Sequence, residues 1–422
     1  MRKILHSDLN NFYASVECLL DESLQGFPVV VCGSIKDRHG VILAKNMIAK
    51  NAGVKTGMVL YQAKNLCPNL KCVEAHHNLY IKYSRAVKDI YRQYTDRVES
   101  FGIDEAWLDI TDCKKHNGDA YLIADEIRQR VKTEIGLTVS IGVSFNKVFA
   151  KLASDMKKPD AITVVSEDNF KQAVWQLPAS DLLYVGKATS KKLKSLTINT
   201  IGDIAKFSPQ ILTSKLGKWG EILHEYACGH DSEPVKTYDE RDEIKSVGNS
   251  LTFYRDLTNN DEVEALLILL SESVCSRMAD YGYKLARTVH LSITTNKLTT
   301  ISHMTKVQPT ALSSEIAAAA LQLFKAHFRW SIGLVRGLGV SVCDFTNQEQ
   351  LTLEANTSVR QKQMALQDAV ETLRRRFGRN IINKAIIYTD KKMSQLNIKE
   401  AHTIKPGKDV KTTKTEIIET EF

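Results

Sequence analysis

"ESFGIDEAWLDITD" (residues 99–112) is the stretch on which the reading of this chain turns. Two carboxylates, Asp104 and Glu105, stand side by side in an otherwise apolar run. An uncompensated buried carboxylate is costly. Two adjacent ones also repel, so that one tends to stay protonated. A solvated hairpin tip would make the pair tolerable, and a bound cation would make it useful. In an ideal strand, neighbouring side chains point to opposite faces. Both acids can serve one site only if the backbone turns there, and Gly102 permits a turn or bulge. "AWLDI" then carries the chain away as a second strand. The expectation is a hairpin with two acids at its tip.

A third acid, Asp8, ends "KILHSD" (3–8), which reads as a strand. If that strand lies beside the hairpin, three carboxylates converge. Hard oxygen ligands suit Mg²⁺. Two such ions, roughly 3.5–4 Å apart, can activate an attacking oxygen and stabilise a leaving one on a polyphosphate. Each piece alone is weak, because "DLN" is common and an acidic pair on a hairpin usually faces water. "NKVFAKLASDMKKP" (146–159) adds Lys147, Lys151, Lys157 and Lys158. These can meet a triphosphate or a nucleic-acid backbone, or simply form a solvated helix face. Phe12 and Tyr13 lie one turn past Asp8, where core packing is the alternative role.

The 422 residues are too many for one ordinary core. Hydrophobic content of 43% and charged content of 25% read as soluble and globular. No apolar run approaches the roughly 20 residues of a membrane span, and the first residues carry acids too early for a signal peptide. The eight cysteines are scattered without a CxxC pair, which reads as reduced thiols in a cytoplasm rather than a zinc site. A net charge of +8 permits a polyanionic partner without requiring one. "SKKLKS" (190–195) and "RRRF" (374–377) read as solvated basic helix faces.

Up to about residue 168 the patterns run strand, helix, strand pair, helix, strand, helix, which suggests one α+β domain. Within it, "VILAKNMIAKNAGV" (41–54) reads as a helix closed by Gly53. Residues 169–234 read as all-helical, and 232–244 as a linker without apolar period. A second α/β segment of four strands and two helices follows to about 345. Beyond 346 the chain is polar, with one helix and a Lys/Thr-rich tail.

"DLNNFYASVE" (8–17), "GVKTGM" (53–58), "GIDEAWLDI" (102–110) and "SIGVSFNKVFAKLASDMKKP" (140–159) occur in an order and spacing that resembles the Y-family DNA polymerases. These are the translesion enzymes that include bacterial DNA polymerase IV and the catalytic subunit of polymerase V. The resemblance implies a multidomain α+β right-hand fold. Its palm, an antiparallel sheet plus helices, would be residues 1–22 and 78–168, with small fingers at 23–77. A helical thumb with a helix-hairpin-helix-like turn would be 169–234, a linker 235–242 and an α/β little finger 243–345, followed by a polar tail, 346–422. The implied activity is primer extension with dNTPs on primer–template DNA, at low fidelity, in repair and the SOS response of a bacterial cytoplasm, at the nucleoid. The implied cofactor is a pair of Mg²⁺ ions on Asp8, Asp104, Glu105 and the carbonyl of Leu9. Tyr13 takes the position of the steric gate that excludes a 2′-hydroxyl. Phe12 would pack under the nucleotide, and Lys158 and Lys50 would reach the triphosphate.

The chain departs from the family pattern in places. In "KNMIAK" (45–50) Met47 stands for a tyrosine and Lys50 for an arginine, losing a hydrogen-bond donor and a bidentate fork. Gly102 replaces the usual serine. In the thumb hairpin "LYVG" (183–186), Tyr184 replaces a glycine, leaving the Gly186 N–H for a phosphate. Gln350, Leu351 and Leu353 resemble a sliding-clamp-binding peptide, with Glu354 where a phenylalanine is expected. Accessory subunits are a further expected partner class, and a membrane is not. Two other readings compete. A palm-fold nucleotide cyclase needs the metal aspartates but neither thumb nor little finger. A non-catalytic DNA-binding relative has no need of intact Asp8, Asp104 and Glu105.

Overall fold

Ile4–Leu9 is buried along its whole length, because helices cover both faces of the sheet it centres. The computed structural model describes residues 2–33, 40–240, 243–283, 285–347 and 357–396. These form two units, divided near residue 242.

In the first unit, five strands lie in the order Val98–Ser100, Glu105–Asp109, Ile4–Leu9, Val139–Ser144, Ile162–Val165. The expected antiparallel sheet is mixed: the last two strands run parallel. A parallel pair needs a crossover, and the helix Lys147–Met156 supplies it. Alternation along Ile4–Leu9 sorts the two faces. Leu5 and Leu9 pack with Tyr80, Val87, Ile123 and Ile127. Ile4 packs on the other face with Trp107 and Ala150. On that face the crossover helix touches backbone: a Cβ at Gly142 would fall 1.9 Å from the Ala150 carbonyl oxygen.

A smaller sheet orders Ile42–Lys45, Val29–Cys32 and Lys71–Glu74, around its own apolar cluster. Here the expected helix over 41–54 is corrected. Ile42–Lys45 is a strand paired to Val29–Cys32, and the helix is only Met47–Asn51. Asn46 divides them, its side chain accepting the Ala49 N–H as an N-cap. Five short helices between Phe170 and Ala227 surround a third cluster. The start of the expected linker is fastened down. Val235 is fully buried beside Ile4 and Trp107, and the Lys236 N–H donates to Glu99. Such polar backbone anchoring needs no apolar period, which is why the sequence pattern does not show it.

The second unit has a four-stranded antiparallel sheet, in the order Thr300–Thr310, Leu285–Thr295, Val335–Thr346, Ser246–Leu257. Helices Asn260–Asp280 and Ser313–His327 pack against it. Part of the expected polar tail belongs to this unit. The helix Thr357–Phe377 docks through Arg374, which pairs with Glu272 at 3.0 Å. Ile387 and Met393 are buried in the same core. "RRRF" is therefore not simply a solvated face: Arg374 is buried and Arg375 pairs with Asp280 at 3.1 Å. Gln350, Leu351, Leu353 and Glu354 lie outside the described residues. Among those described, no helix is long and apolar enough to cross a membrane.

Candidate active site

Antiparallel register brings the three acids to one end of the sheet. Asp8 is the partner of Glu105, and the Leu9 N–H donates to the Asp104 carbonyl at 3.1 Å. The hairpin closes through Phe101, whose N–H donates to the Glu105 carbonyl at 3.1 Å. Glu105 is the first strand residue and Asp104 the last of the bent tip, residues 101–104.

Lysines from the Lys147–Met156 helix and just beyond it meet these carboxylates. Lys158 Nζ lies 2.7 Å from Asp8 Oδ2 and 2.8 Å from Asp155 Oδ1. Lys151 Nζ lies 2.5 Å from Glu105 Oε2. Of the other two candidate lysines, Lys147 turns away to Glu99 at 2.8 Å, and Lys157 is exposed.

Burial sets the protonation of these groups against their partners. Asp8 is pushed up to about 6 by desolvation, which outweighs the charge of Lys158. Lys158 is itself raised: two carboxylates outweigh its burial. Asp104 is raised by burial and by the charge of Glu105. Burial pushes Glu105 the same way, yet His6 and Lys151 hold it down to about 2. The His6 contact is the poorer one, because Nε2 stands 3.3 Å from Oε2 without hydrogen-bond alignment. His6 Nδ1 lies 2.8 Å from Ser154 Oγ, and burial lowers the pKa of the ring.

Among the described residues, no three His, Cys, Asp or Glu side chains stand close enough to hold a metal ion. The carboxylates of Asp8 and Glu105 are turned toward ammonium groups instead. The donor chemistry still fits a hard divalent cation. It is all oxygen, it comes from two hydrogen-bonded strands and the tip that precedes one of them, and it includes a buried Asp8 whose ionised form calls for a cation.

Tyr13 stacks on Tyr80 at 4.1 Å and 12°, half-buried, with its pKa raised by burial and by Asp104. Phe12 is a core residue at 3% exposure. Lys50 is exposed on the Met47–Asn51 helix, and its charge helps burial lower the pKa of Lys45. Tyr184 keeps a left-handed φ of 68° and packs on Trp219 at 5.0 Å. The Gly186 N–H already donates to the Tyr184 carbonyl at 3.2 Å.

Sequence reasoning missed His6, Ser84 and Lys88. The last two donate to the carbonyls of Ile103 and Gly102. A signal was present, since both fall on the apolar face of the helix His77–Tyr91, beside Tyr80, Val87 and Tyr91.

Comparison with known proteins follows the same layout. Residues 7–155 match the model of the impB/mucB/samB family, and 244–354 match that family's C-terminal domain. Residues 180–231 match a thumb domain described for DNA polymerase-iota. The DNA polymerase IV of Acetivibrio thermocellus is 48% identical over 94% of this chain and all of its own length. That of Moorella thermoacetica is 36% identical over 92% of this chain and 96% of its own. Among solved structures, the Y-family DNA polymerase chimera Dbh-Dpo4(243-245)-Dbh superposes with a TM-score of 0.71 at 23% identity. It covers 82% of this chain and 100% of its own.

Proposed function

This chain belongs to the Y family of DNA polymerases, and on that premise we propose how its residues divide the work of translesion synthesis. It is a DNA-directed DNA polymerase that extends a primer with dNTPs on primer–template DNA and depends on a divalent cation. The finer reading rests on one observation: the Asp8–Glu105 register, which gathers the acids at 8, 104 and 105.

Asp8, Asp104 and Glu105, with the carbonyl of Leu9, would hold two Mg²⁺ ions. Ions held there would supply positive charge against the triphosphate and make the primer 3′-hydroxyl easier to ionise. The 3′-oxygen, its proton lost to solvent, bonds to the α-phosphorus as the bond from that phosphorus to the α,β-bridging oxygen breaks and pyrophosphate leaves. Lys158 exchanges Asp8 for the triphosphate, and Lys50 adds charge from the fingers. Phe12 supports the nucleotide from beneath as part of the core, and Tyr13 holds the volume a 2′-hydroxyl would need. In this reading residues 1–22 and 78–168 are the palm, 23–77 the fingers, 169–234 the thumb and 243–345 the little finger. Gln350, Leu351 and Leu353 bind a sliding clamp, and the enzyme works in the bacterial cytoplasm at the nucleoid. A nucleotide cyclase has no use for residues 169–345.

Primer extension with Mg²⁺ and four dNTPs tests the site. Asp8→Ala, Asp104→Ala and Glu105→Ala should each lose about 10³-fold or more in rate, with DNA affinity retained. Robust extension by Asp104→Ala would refute the assignment.

A further inference from the structure

The hairpin tip that carries Asp104 is gripped from the helix His77–Tyr91. Lys88 Nζ donates to the Gly102 carbonyl at 2.8 Å, and Ser84 Oγ donates to the Ile103 carbonyl. The two donors are four residues apart, so they project from one helix face toward consecutive peptides. Lys88 is 9% exposed, and in that position it spends its ammonium on a backbone carbonyl. Asp104 lies against the same peptides: a Cβ at Gly102 would stand 3.3 Å from Asp104 Oδ1. A displacement of Gly102 and Ile103 therefore displaces the carboxylate with them.

We infer that Lys88 and Ser84 are positioning residues, which fix the peptides ahead of Asp104 and so set how tightly the acidic site takes a divalent cation. The inference rests on the reading that Asp104 and Glu105 hold that cation. Charge and positioning predict opposite effects here. As a cation near Asp104, Lys88 opposes a second cation, and its removal by itself would tighten binding. As the anchor of the tip, its removal loosens the ligands. Outer partners that orient metal ligands typically contribute about 10- to 100-fold in affinity or activity, and the inference requires that positioning wins.

The test is calorimetric titration of the full-length protein with Mn²⁺, without DNA, beside steady-state primer extension and thermal unfolding. Lys88→Met should weaken Mn²⁺ binding about 10-fold and lower kcat with little change in the KM for dNTP. Ser84→Ala should move both in the same direction by less, and it stands in if Lys88→Met fails to fold. Lys88→Gln, which keeps a donor without charge, should recover part of the loss. Mn²⁺ binding by Lys88→Met and Ser84→Ala as tight as wild type, or tighter, overturns the inference. Asp104→Ala separates the two levels. Loss of Mn²⁺ binding there, beside unchanged Lys88→Met and Ser84→Ala, refutes only the positioning role. Unchanged binding in Asp104→Ala refutes the cation site itself, and the inference with it.

Discussion

Asp8 and Lys158 are 150 residues apart in sequence and 2.7 Å apart in the fold. Burial outweighs this ion pair and holds the Asp8 carboxyl up to about 6. A raised acid favours the folded state when neutral. Its stabilising contribution is present below about pH 4 and is lost as pH rises through about 6. Asp8→Asn imitates the neutral form. In a chelator, it should therefore be more stable than wild type at pH 8, by a ceiling of roughly 3 kcal/mol, with the difference shrinking toward pH 4. Glu105 runs the other way. Its contribution is present above about 4.5 and is lost as pH falls through about 2. Thermal unfolding of both proteins across this range measures the effect.

Tyr13→Ala should admit rNTPs. The ring is braced by Tyr80 at 4.1 Å and half-buried, so its removal opens volume without stripping out the core residue Phe12. The ratio of dNTP to rNTP incorporation should fall by about 10-fold or more, since excluding a hydroxyl by sterics commands a few kcal/mol. An unchanged ratio would make Tyr13 a packing residue only.

Gly142→Ala should be severely destabilising. The new methyl would fall 1.9 Å from the Ala150 carbonyl oxygen and 2.5 Å from the Ser154 nitrogen, so the helix must move. Overpacking of this kind typically costs about 1–3 kcal/mol, occasionally more. The same helix carries Lys151, so activity should fall with the melting temperature.

Arg374→Met should destabilise the second unit, by at most about 3–5 kcal/mol, because the partly buried Glu272 would lose its ion-pair partner. Truncation before residue 357 should be worse, since it also removes Ile387 and Met393 from the core. Denaturant melts of full-length and truncated chains decide this. Equal midpoints would show that the docked helix contributes nothing.

A sliding clamp should lengthen the products of the wild-type chain, because tethering raises the effective concentration of the enzyme at the primer end. Gln350→Ala with Leu353→Ala should remove that gain and leave clamp-free extension unchanged. Product lengths with and without clamp read the outcome, and equal stimulation of the double variant would place the contact elsewhere.

The acids were legible because a strand-ending Asp8 and an acidic hairpin are written in local patterns of the sequence. Lys158 was legible as part of a motif, although its contact with Asp8 depends on the crossover helix. Strand Ile42–Lys45 was not, because four strand residues and a five-residue helix share one apolar run that shows neither period cleanly. Arg374 was misread for a different reason. A charged side chain docks by pairing with Glu272, and pairing leaves no trace in hydropathy. Lys88 sat in plain sight on an apolar helix face, but its partner is a backbone carbonyl, which has no letter in the sequence.

The distance along the chain between Asp8 and Lys158 also governs when the site comes into being. Translation delivers Asp8 first, and at about 5–20 residues per second its ammonium partner follows roughly 8–30 s later. Glu105 meets Lys151 across a separation of 46 residues, and that pair is complete once residue 151 is made, seven residues before Lys158 completes the Asp8 pair. Loop closure over such a span is entropically slow. Any product released before residue 158 thus carries the acid without the lysine that pairs with it.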